Sequence, residues 1–342
     1  LQERLRAALR RINTTAGGEE WLDAVRINEA VSALERIAAP SLVETNRRAT
    51  RLLLKGTIVP GDPGLHAGRE QTIHYIDWQT PENNDFLIIN QFRVDPPWAV
   101  GDKDFIIPDA VLFVNGIPLV VVEAKSPAAT DPIASAITDL RRYTNQREEV
   151  QEDEGAERLF WYNQLLVATS YYDARTGTIS SKHPHFLRWK EGDPATVEAG
   201  FASIPELESG FPEAEEEELA RRPLQPVLAA GILQPARLLD LVRHFTLFKE
   251  QGGQRIKIVA RYQQWRAVQA AVERLRHGQT RLEHGDSDQR GGIIWHTQGS
   301  GKSLTMVFLV RKLRTEPDLR RFKVVAVTDR QDLEDQLTET AA

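Results

Sequence analysis

The stretch Ile107-Pro-Asp-Ala-Val-Leu-Phe-Val-Asn-Gly-Ile-Pro-Leu-Val-Val-Val-Glu-Ala-Lys125 decides how this chain is read. Two β-rich runs, Ala110–Val114 and Ile117–Val122, flank Asn115-Gly116, a strong hairpin signal because both residues accept the positive φ of a tight turn. Both runs are apolar on both faces, so the hairpin is expected to be central and buried. Asp109, Glu123 and Lys125 stand at one end of it, where charge is costly unless paired or bound to a metal. Two carboxylates and a lysine in this order can bind Mg²⁺ and position a water for attack on a phosphodiester. The lysine would offset developing charge or orient that water. A lone Glu-x-Lys carries almost no information, since about one is expected by chance in a chain of this length. The hairpin gives it weight. The competing reading is a surface ion cluster.

Strand parity sharpens the expectation. Glu123 and Lys125 share a face, because strand side chains repeat every two residues. A strict two-residue turn would pair Asp109 with Val122 and turn the aspartate to the wrong face. A three-residue turn with a glycine bulge, or a bend at Pro108, would bring Asp109 round. The sequence therefore predicts a bulged turn or a kink. A regular hairpin with Asp109 pointing away would remove the metal-site reading.

Working outward, Leu1, Leu5, Ala8, Leu9 and Ile12 recur at helical spacing. A second helix is expected from about Glu20 to Ile37, and a third, capped by Ser41, runs through Leu54. Arg47, Arg48 and Arg51 on that helix read as a solvated face, with a DNA backbone as the alternative. Thr72–Trp78 and Phe86–Gln91 read as strands, Ile133–Tyr143 as a helix, and Leu159–Thr169 as another buried strand. The order gives a mixed α/β domain ending near Trp189. Gly192 to Pro226 is Pro-, Gly- and Glu-rich, with an acidic run from Glu213 to Glu218, and reads as a linker. Val227–Phe248 returns to helical spacing.

A second motif follows. Gly291-Gly-Ile-Ile-Trp-His296 reads as a short buried strand, Thr297-Gln-Gly-Ser-Gly-Lys-Ser303 as a glycine loop, and Leu304–Leu313 as a helix. That is the context a Walker A phosphate loop requires. Gly299, Ser300 and Gly301 let backbone N–H groups turn toward phosphate oxygens, and the helix start at Lys302, Ser303 and Leu304 adds its positive dipole end. Lys302 can reach the β- and γ-phosphates of ATP, and Ser303 can hold Mg²⁺. His296 stands where the general pattern has its first glycine. A Gly-x-Gly-Lys-Ser/Thr string arises at roughly one position in 30,000, so a chance match in this chain is improbable. Arg261-Tyr-Gln-Gln264 precedes the expected helix Trp265–Leu275. Gln264 can read an adenine edge with its paired donor and acceptor, although by itself an ordinary polar helix start is the preferred reading. Lys323–Thr328 reads as a second strand, and Asp329-Arg-Gln-Asp-Leu as the start of a helix.

Composition sets the outer bounds. The chain has 342 residues, 41% hydrophobic and 27% charged, which fits a folded globular protein of two or three domains. No apolar run reaches the roughly 18 residues of a membrane span, and no secretory signal is visible, so a cytoplasmic location is expected. With no cysteine, disulfides, cysteine zinc sites and thiol nucleophiles are excluded. The net charge of −6 argues against a protein that coats DNA, but not against an enzyme that meets DNA through a metal and local basic patches. The chain starts at Leu1 and ends within a helical pattern, and reads as a piece of a longer protein.

Taken together, Asn84-Asp-Phe-Leu-Ile-Ile-Asn-Gln-Phe92, the Pro108–Lys125 hairpin, Trp161-Tyr-Asn-Gln164 and Trp295-His-Thr-Gln-Gly-Ser-Gly-Lys-Ser303 resemble the R subunit, nuclease and motor, of type I restriction enzymes. The similarity runs from about residue 42 to the end. It implies an α/β fold: a PD-(D/E)xK restriction-endonuclease-like mixed-sheet domain, then the start of a RecA-like superfamily-2 helicase P-loop domain. The corresponding spans are 1–191 for the nuclease domain with its N-terminal helices, 192–250 for a linker and connecting helix, and 251–342 for the motor. It also implies ATP-dependent, Mg²⁺-dependent cleavage of double-stranded DNA alongside methyltransferase and specificity subunits. Asp109, Glu123 and Lys125 would be the nuclease residues, Gln264 the adenine contact, and Lys302 and Ser303 the Walker residues. The family commonly carries Gln-x-x-x-Tyr on the helix after the nuclease strand. Here Asp139 takes the glutamine position before Tyr143. The acidic Walker B box and arginine finger would lie beyond Ala342. Two other readings stay open: a nuclease–helicase of another defence or repair system, and a non-catalytic assembly module with a degenerate nuclease site.

Overall fold

The computed structural model describes residues 1–96, 105–147, 154–190, 223–297 and 299–327. They fall into two compact units, Leu1–Arg243 with Glu250–Ile258, and His244–Lys249 with Val259–Ala342. Among the described residues no helix is long and apolar enough to cross a membrane.

The first unit opens with three helices. In α1 (Gln2–Ile12), Leu5, Ala8 and Leu9 form the buried stripe their spacing dictates. Helix α2 (Ala24–Glu35) starts later than the expected Glu20, because the Asp23 side chain accepts from the backbone N–H of Arg26 and fixes the N-cap there. Helix α3 (Leu42–Lys55) is capped by Ser41 as expected, and Gly56 ends it at φ 78°. A two-stranded ribbon follows: β1 (Thr57–Val59) and β2 (Gln71–Ile73), with the short α4 (Pro63–His66) between them. The strand expected through Trp78 stops at Ile73; Tyr75 and Ile76 are buried from a turn instead.

The centre of the unit is a mixed six-stranded sheet in the order β3 (Phe86–Asn90), β4 (Ala110–Val114), β5 (Ile117–Ala124), β6 (Leu165–Thr169), β7 (Ala174–Gly177), β8 (Leu187–Arg188). Every pairing is antiparallel except β5 with β6, which are parallel. A parallel pair needs a crossover, and α5 (Pro132–Tyr143) and α6 (Glu157–Phe160) lie in it. Strands β4 and β5 are interior, as their two-sided apolar pattern requires. Ile133, Ala136, Ile137, Leu140 and Tyr143 of α5 join one core with Val111, Phe113, Val121, Leu166 and Ala168 of the sheet. The strand expected to begin at Leu159 begins at Leu165, since Leu159 and Phe160 belong to α6 and are buried there.

The helical spacing of Val227–Phe248 resolves into Leu224–Leu228, a π turn at Ala229–Leu233, and Pro235–His244; Thr246–Gln251 is a strand. The second unit packs the helix Tyr262–His277 against the helix Lys302–Thr315, and Arg276 pairs with Glu316 and Asp318 at 2.5 and 2.7 Å. Two expected strands do not form. Residues 291–297 and 323–327 have no strand pairing, and Ile293 and Trp295 are 93% and 87% exposed. A parallel strand exists only as a member of a sheet, and among the described residues neither segment finds a neighbouring strand to take its backbone hydrogen bonds. The linker, the acidic run Glu213–Glu218, Thr328 and the helix expected after Asp329 lie outside the described residues.

Candidate functional site

Turn and register build the first site. Asn115 and Gly116 both have positive φ, 52° and 79°, so the turn is a strict two-residue one. Buried Asn115 ties it down. Its amide donates to Tyr75 O and Asn84 Oδ1, both at 2.8 Å, and its Oδ1 accepts from Asp85 N at 2.7 Å. The expected register shift is present, but inside the strand rather than at the turn. Val114 pairs with Ile117 and Phe113 with Pro118, yet Leu112 pairs with Val120, so Leu119 is the extra residue. Pro118 has no N–H to give the ladder, and a proline in a central strand is accommodated at a bulge.

Beyond the bulge, Val111 faces Val121 and Ala110 faces Val122, which carries Asp109 alongside Glu123. Val111 and Val121 both lie in the core under α5. By the two-residue repeat, Asp109 and Glu123 point to that same face. Asp109 Oδ2 accepts from the backbone N–H of Ala124 at 2.8 Å. The Lys125 ammonium lies 2.7 Å from Glu123 Oε1. The structure thus brings the three sequence-predicted residues together at one end of β4 and β5.

Helix α5 supplies the rest of the site. Asp139 Oδ2 is 2.6 Å from Lys125 Nζ, and Asp139 Oδ1 is 3.4 Å from Arg142. Tyr143, one turn on, is buried, and its hydroxyl pKa is raised by that burial and then by the charges of Glu123 and Asp139. The sequence singled out Asp139 as a departure from a pattern but gave no means of placing it beside Lys125.

Glu123 is only 3% exposed. Burial raises its carboxyl above the ordinary range. The Lys125 hydrogen bond opposes that rise, and Asp109 and Asp139 add to it. Burial also disfavours the charge on Lys125, but hydrogen bonds to Asp139 and Glu123 outweigh it and raise its pKa. Glu123 Oε2 is buried and makes no hydrogen bond within 3.5 Å, although the Tyr143 hydroxyl approaches the same carboxylate. Among the described residues no three His, Asp or Glu side chains stand ready to enclose a metal ion. The donor set still suits a hard cation. Mg²⁺ is commonly held by one or two carboxylates, its other positions going to water and substrate phosphate. An unbonded buried carboxylate oxygen is the donor such an ion would use.

The second unit holds the other predicted residues. Gly299 and Gly301 have φ of 77° and 82°, the left-handed backbone that the glycine loop requires. Ser300 is buried and its hydroxyl donates to Thr297 O at 2.7 Å. Lys302, Ser303 and Leu304 form the first turn of the helix, whose leading amides have no intrahelical partners. Lys302 Nζ turns back onto His296 O at 2.9 Å and Thr297 O at 3.3 Å. A cavity of about 420 Å³ lies here, lined by Ile294, Trp295, His296, Thr297 and Lys302. Gln264 is buried. Its amide donates to Ser300 O and Gly301 O at 3.2 and 3.1 Å, and its Oε1 accepts from Arg261 N at 2.9 Å. Donor and acceptor are both spent on the loop and the helix start, rather than presented as a free pair to a base edge.

Comparison with known proteins finds two family models on separate stretches of the chain. Residues 1–185 match the family model of the type I restriction enzyme R protein N terminus, and residues 263–342 match that of the SWI2/SNF2 ATPase. The endonuclease subunit of the type I restriction enzyme HindI of Haemophilus influenzae is 34% identical over 339 residues, 99% of this chain and 28% of the relative. The putative type I restriction enzyme MjaIXP endonuclease subunit of Methanocaldococcus jannaschii is 28% identical over 274 residues, 78% of this chain and 23% of the relative. The chain therefore spans about a quarter of the length of these curated relatives. With more than half of its residues inside the first match, the chain belongs to the family of the type I restriction enzyme R protein N terminus.

Proposed function

We propose that this chain is the N-terminal part of an ATP-dependent type I restriction endonuclease R subunit that cuts double-stranded DNA. In this reading residues 1–191 are a nuclease region of PD-(D/E)xK type, 192–250 connect it, and 251–342 begin a superfamily-2 translocase that uses ATP. Methyltransferase and specificity subunits are its partners, and the cytoplasm is its place of work. The observation that carries the reading is the unbonded, buried Oε2 of Glu123, set beside Asp109 and Lys125 at one end of β4 and β5.

Asp109 and Glu123 would hold Mg²⁺ at that end of the two strands. When bound, the ion supplies Lewis-acid polarisation of the phosphate and a water acidic enough to attack it. The protein's own groups do the rest. The Ala124 N–H fixes the Asp109 carboxylate, and burial keeps Glu123 from being freely solvated. Lys125 stays protonated between two carboxylates, with an N–H to set against charge developing on a phosphate oxygen. In the second unit, Gly299 to Leu304 would cradle the nucleotide phosphates, with Lys302 released from its carbonyls to the β- and γ-phosphates and Ser303 on Mg²⁺.

The test is Asp109→Ala in the full-length subunit assembled with its partners, with DNA cleavage and ATP hydrolysis measured separately. The expected result is loss of cleavage with ATP hydrolysis retained. Cleavage that survives would overturn the nuclease assignment and favour the assembly-module reading.

A further inference from the structure

Three carboxylates and one ammonium meet at the end of β5, and they are not equivalent. Lys125 Nζ sits between Glu123 Oε1 at 2.7 Å and Asp139 Oδ2 at 2.6 Å. Glu123 contributes only one oxygen to this bridge, and the other is buried and makes no hydrogen bond. Asp139 is the more exposed carboxylate, with its side chain 25% exposed against 4% for Glu123. It is braced from behind by Arg142 at 3.4 Å. The ammonium is thus pulled from two sides, toward the buried strand and toward the helix.

We propose that Asp139 is a positioning residue: it draws the Lys125 ammonium to one side of Glu123 and so keeps Glu123 Oε2 open to a divalent cation. The proposal rests on the reading of Asp109 and Glu123 given above. Remove the charge at 139 and the ammonium keeps a single carboxylate partner, Glu123. A lone ammonium settles over both oxygens of a carboxylate it does not share, because that placement gains the most Coulomb energy where the carboxylate is buried. It then competes with the cation for the same oxygens. A glutamine or asparagine at 139 could still hydrogen-bond, but could not draw off the charge. Outer groups that orient metal ligands typically govern 10–100-fold in metal affinity.

The experiment uses the full-length subunit and Mn²⁺ alone as the probe, titrated by calorimetry without nucleotide; ATP hydrolysis by the same preparations reports that each variant is folded. Asp139→Asn is expected to raise the Mn²⁺ dissociation constant by roughly 10–100-fold. In a Lys125→Ala background the same substitution is expected to change it little, because Asp139 acts through the lysine. Two results overturn the proposal: Asp139→Asn binds Mn²⁺ as the unmodified subunit does, or it weakens binding equally with and without Lys125, which would make Asp139 a ligand itself. Glu123→Gln separates this failure from a deeper one. If Glu123→Gln still binds the ion, the cation site itself is misassigned. If Glu123→Gln loses the ion while Asp139→Asn does not, only the role of Asp139 falls.

Discussion

Ala110 pairs with Val122, one position further along β5 than an uninterrupted two-residue hairpin would allow. That single step decides which face Asp109 occupies. It sets Asp109 beside Glu123 on the α5 side of the sheet, with the Ala124 N–H holding its carboxylate. Backbone register therefore fixes where the two carboxylates start, and side-chain length fixes where they meet. Glu123→Asp withdraws one carboxylate by a methylene while keeping its charge. Misplacement of about 1 Å at a reacting centre can cost 10²-fold. We expect DNA cleavage to fall by about that factor, with ATP hydrolysis unchanged. A Glu123→Asp variant that cleaves at the original rate would show that the geometry of this pair does not limit the reaction.

Lys257 is 2% exposed, and burial drives its pKa well below the ordinary lysine value. Its ammonium donates to Asn46 Oδ1, Asn163 O and Gln164 Oε1, each at 2.8 Å and each uncharged. Asn46 in turn donates to Phe160 O, Trp161 O and Asn163 O. The cage pins the segment Glu250–Ile258 to α3 and to the turn before β6. Lys257→Met keeps the bulk of the side chain and strands Asn46 Oδ1, while Asn163 O keeps its bond from Asn46 and Gln164 Oε1 keeps its bond from Thr50. An unsatisfied group costs about 1–3 kcal/mol, partly relieved by losing a buried charge. We expect a net loss of about 1–2 kcal/mol, read as a lower chemical-denaturation midpoint. The unfolded chain holds the lysine proton more tightly than the folded one, so stability should rise with pH toward the ordinary lysine pKa. Lys257→Met should abolish that rise.

These two sites show how far residues alone could be read. The hairpin, its burial and its charged end were legible because Asn115-Gly116 and two apolar runs specify them locally. The need for a register shift was legible from parity, but its position was not. Pro118 was the available signal, since a proline inside a central strand implies a bulge there. The partnership of Lys125 with Asp139 was not legible, because it depends on how α5 crosses the sheet. Trp161-Tyr-Asn-Gln164 stood out as a motif, yet its work as a cage is set by a lysine 93 positions away from Gln164. In the second unit the glycine loop and its helix were legible as a local signal. The flanking strands failed because a strand's existence depends on neighbours that no local pattern contains.

Glu44 joins α3 to the same returning segment. It pairs with Arg47 at 2.6 Å and with Arg255 at 2.8 Å. The Arg47 hydrogen bond, opposed by burial and helped by Arg255, lowers its pKa from 4.5 to about 2. A carboxyl depressed on folding contributes stability that is complete above its unfolded value and is lost as the pH falls through its folded value. The contribution should therefore be full above about pH 4.5 and fade toward pH 2. Glu44→Gln should flatten this part of the acid limb when unfolding midpoints are measured across it. An acid limb of unchanged slope would mean that Arg47 and Arg255 do not hold the carboxylate in solution.

Gly301 bears on the nucleotide loop in two separable ways. Its φ of 82° strains any residue with a side chain, and a Cβ there would stand 2.6 Å from Gln264 Nε2. The backbone strain of a left-handed alanine is about 1–2 kcal/mol, equivalent to roughly 5–30-fold in an equilibrium constant. The contact with Gln264 adds to it, because that amide is fixed by Ser300 O, Gly301 O and Arg261 N and cannot swing clear without giving up all three. Gly301→Ala is therefore expected to weaken binding of a non-hydrolysable ATP analogue by more than the strain alone would. Gly301→Ala with Gln264→Ala removes the contact and keeps the strain. Measured against Gln264→Ala alone, that double variant should show a smaller loss than Gly301→Ala shows against the unmodified chain. Equal losses in the two backgrounds would assign the whole effect to the backbone and leave Gln264 without a part in shaping the loop.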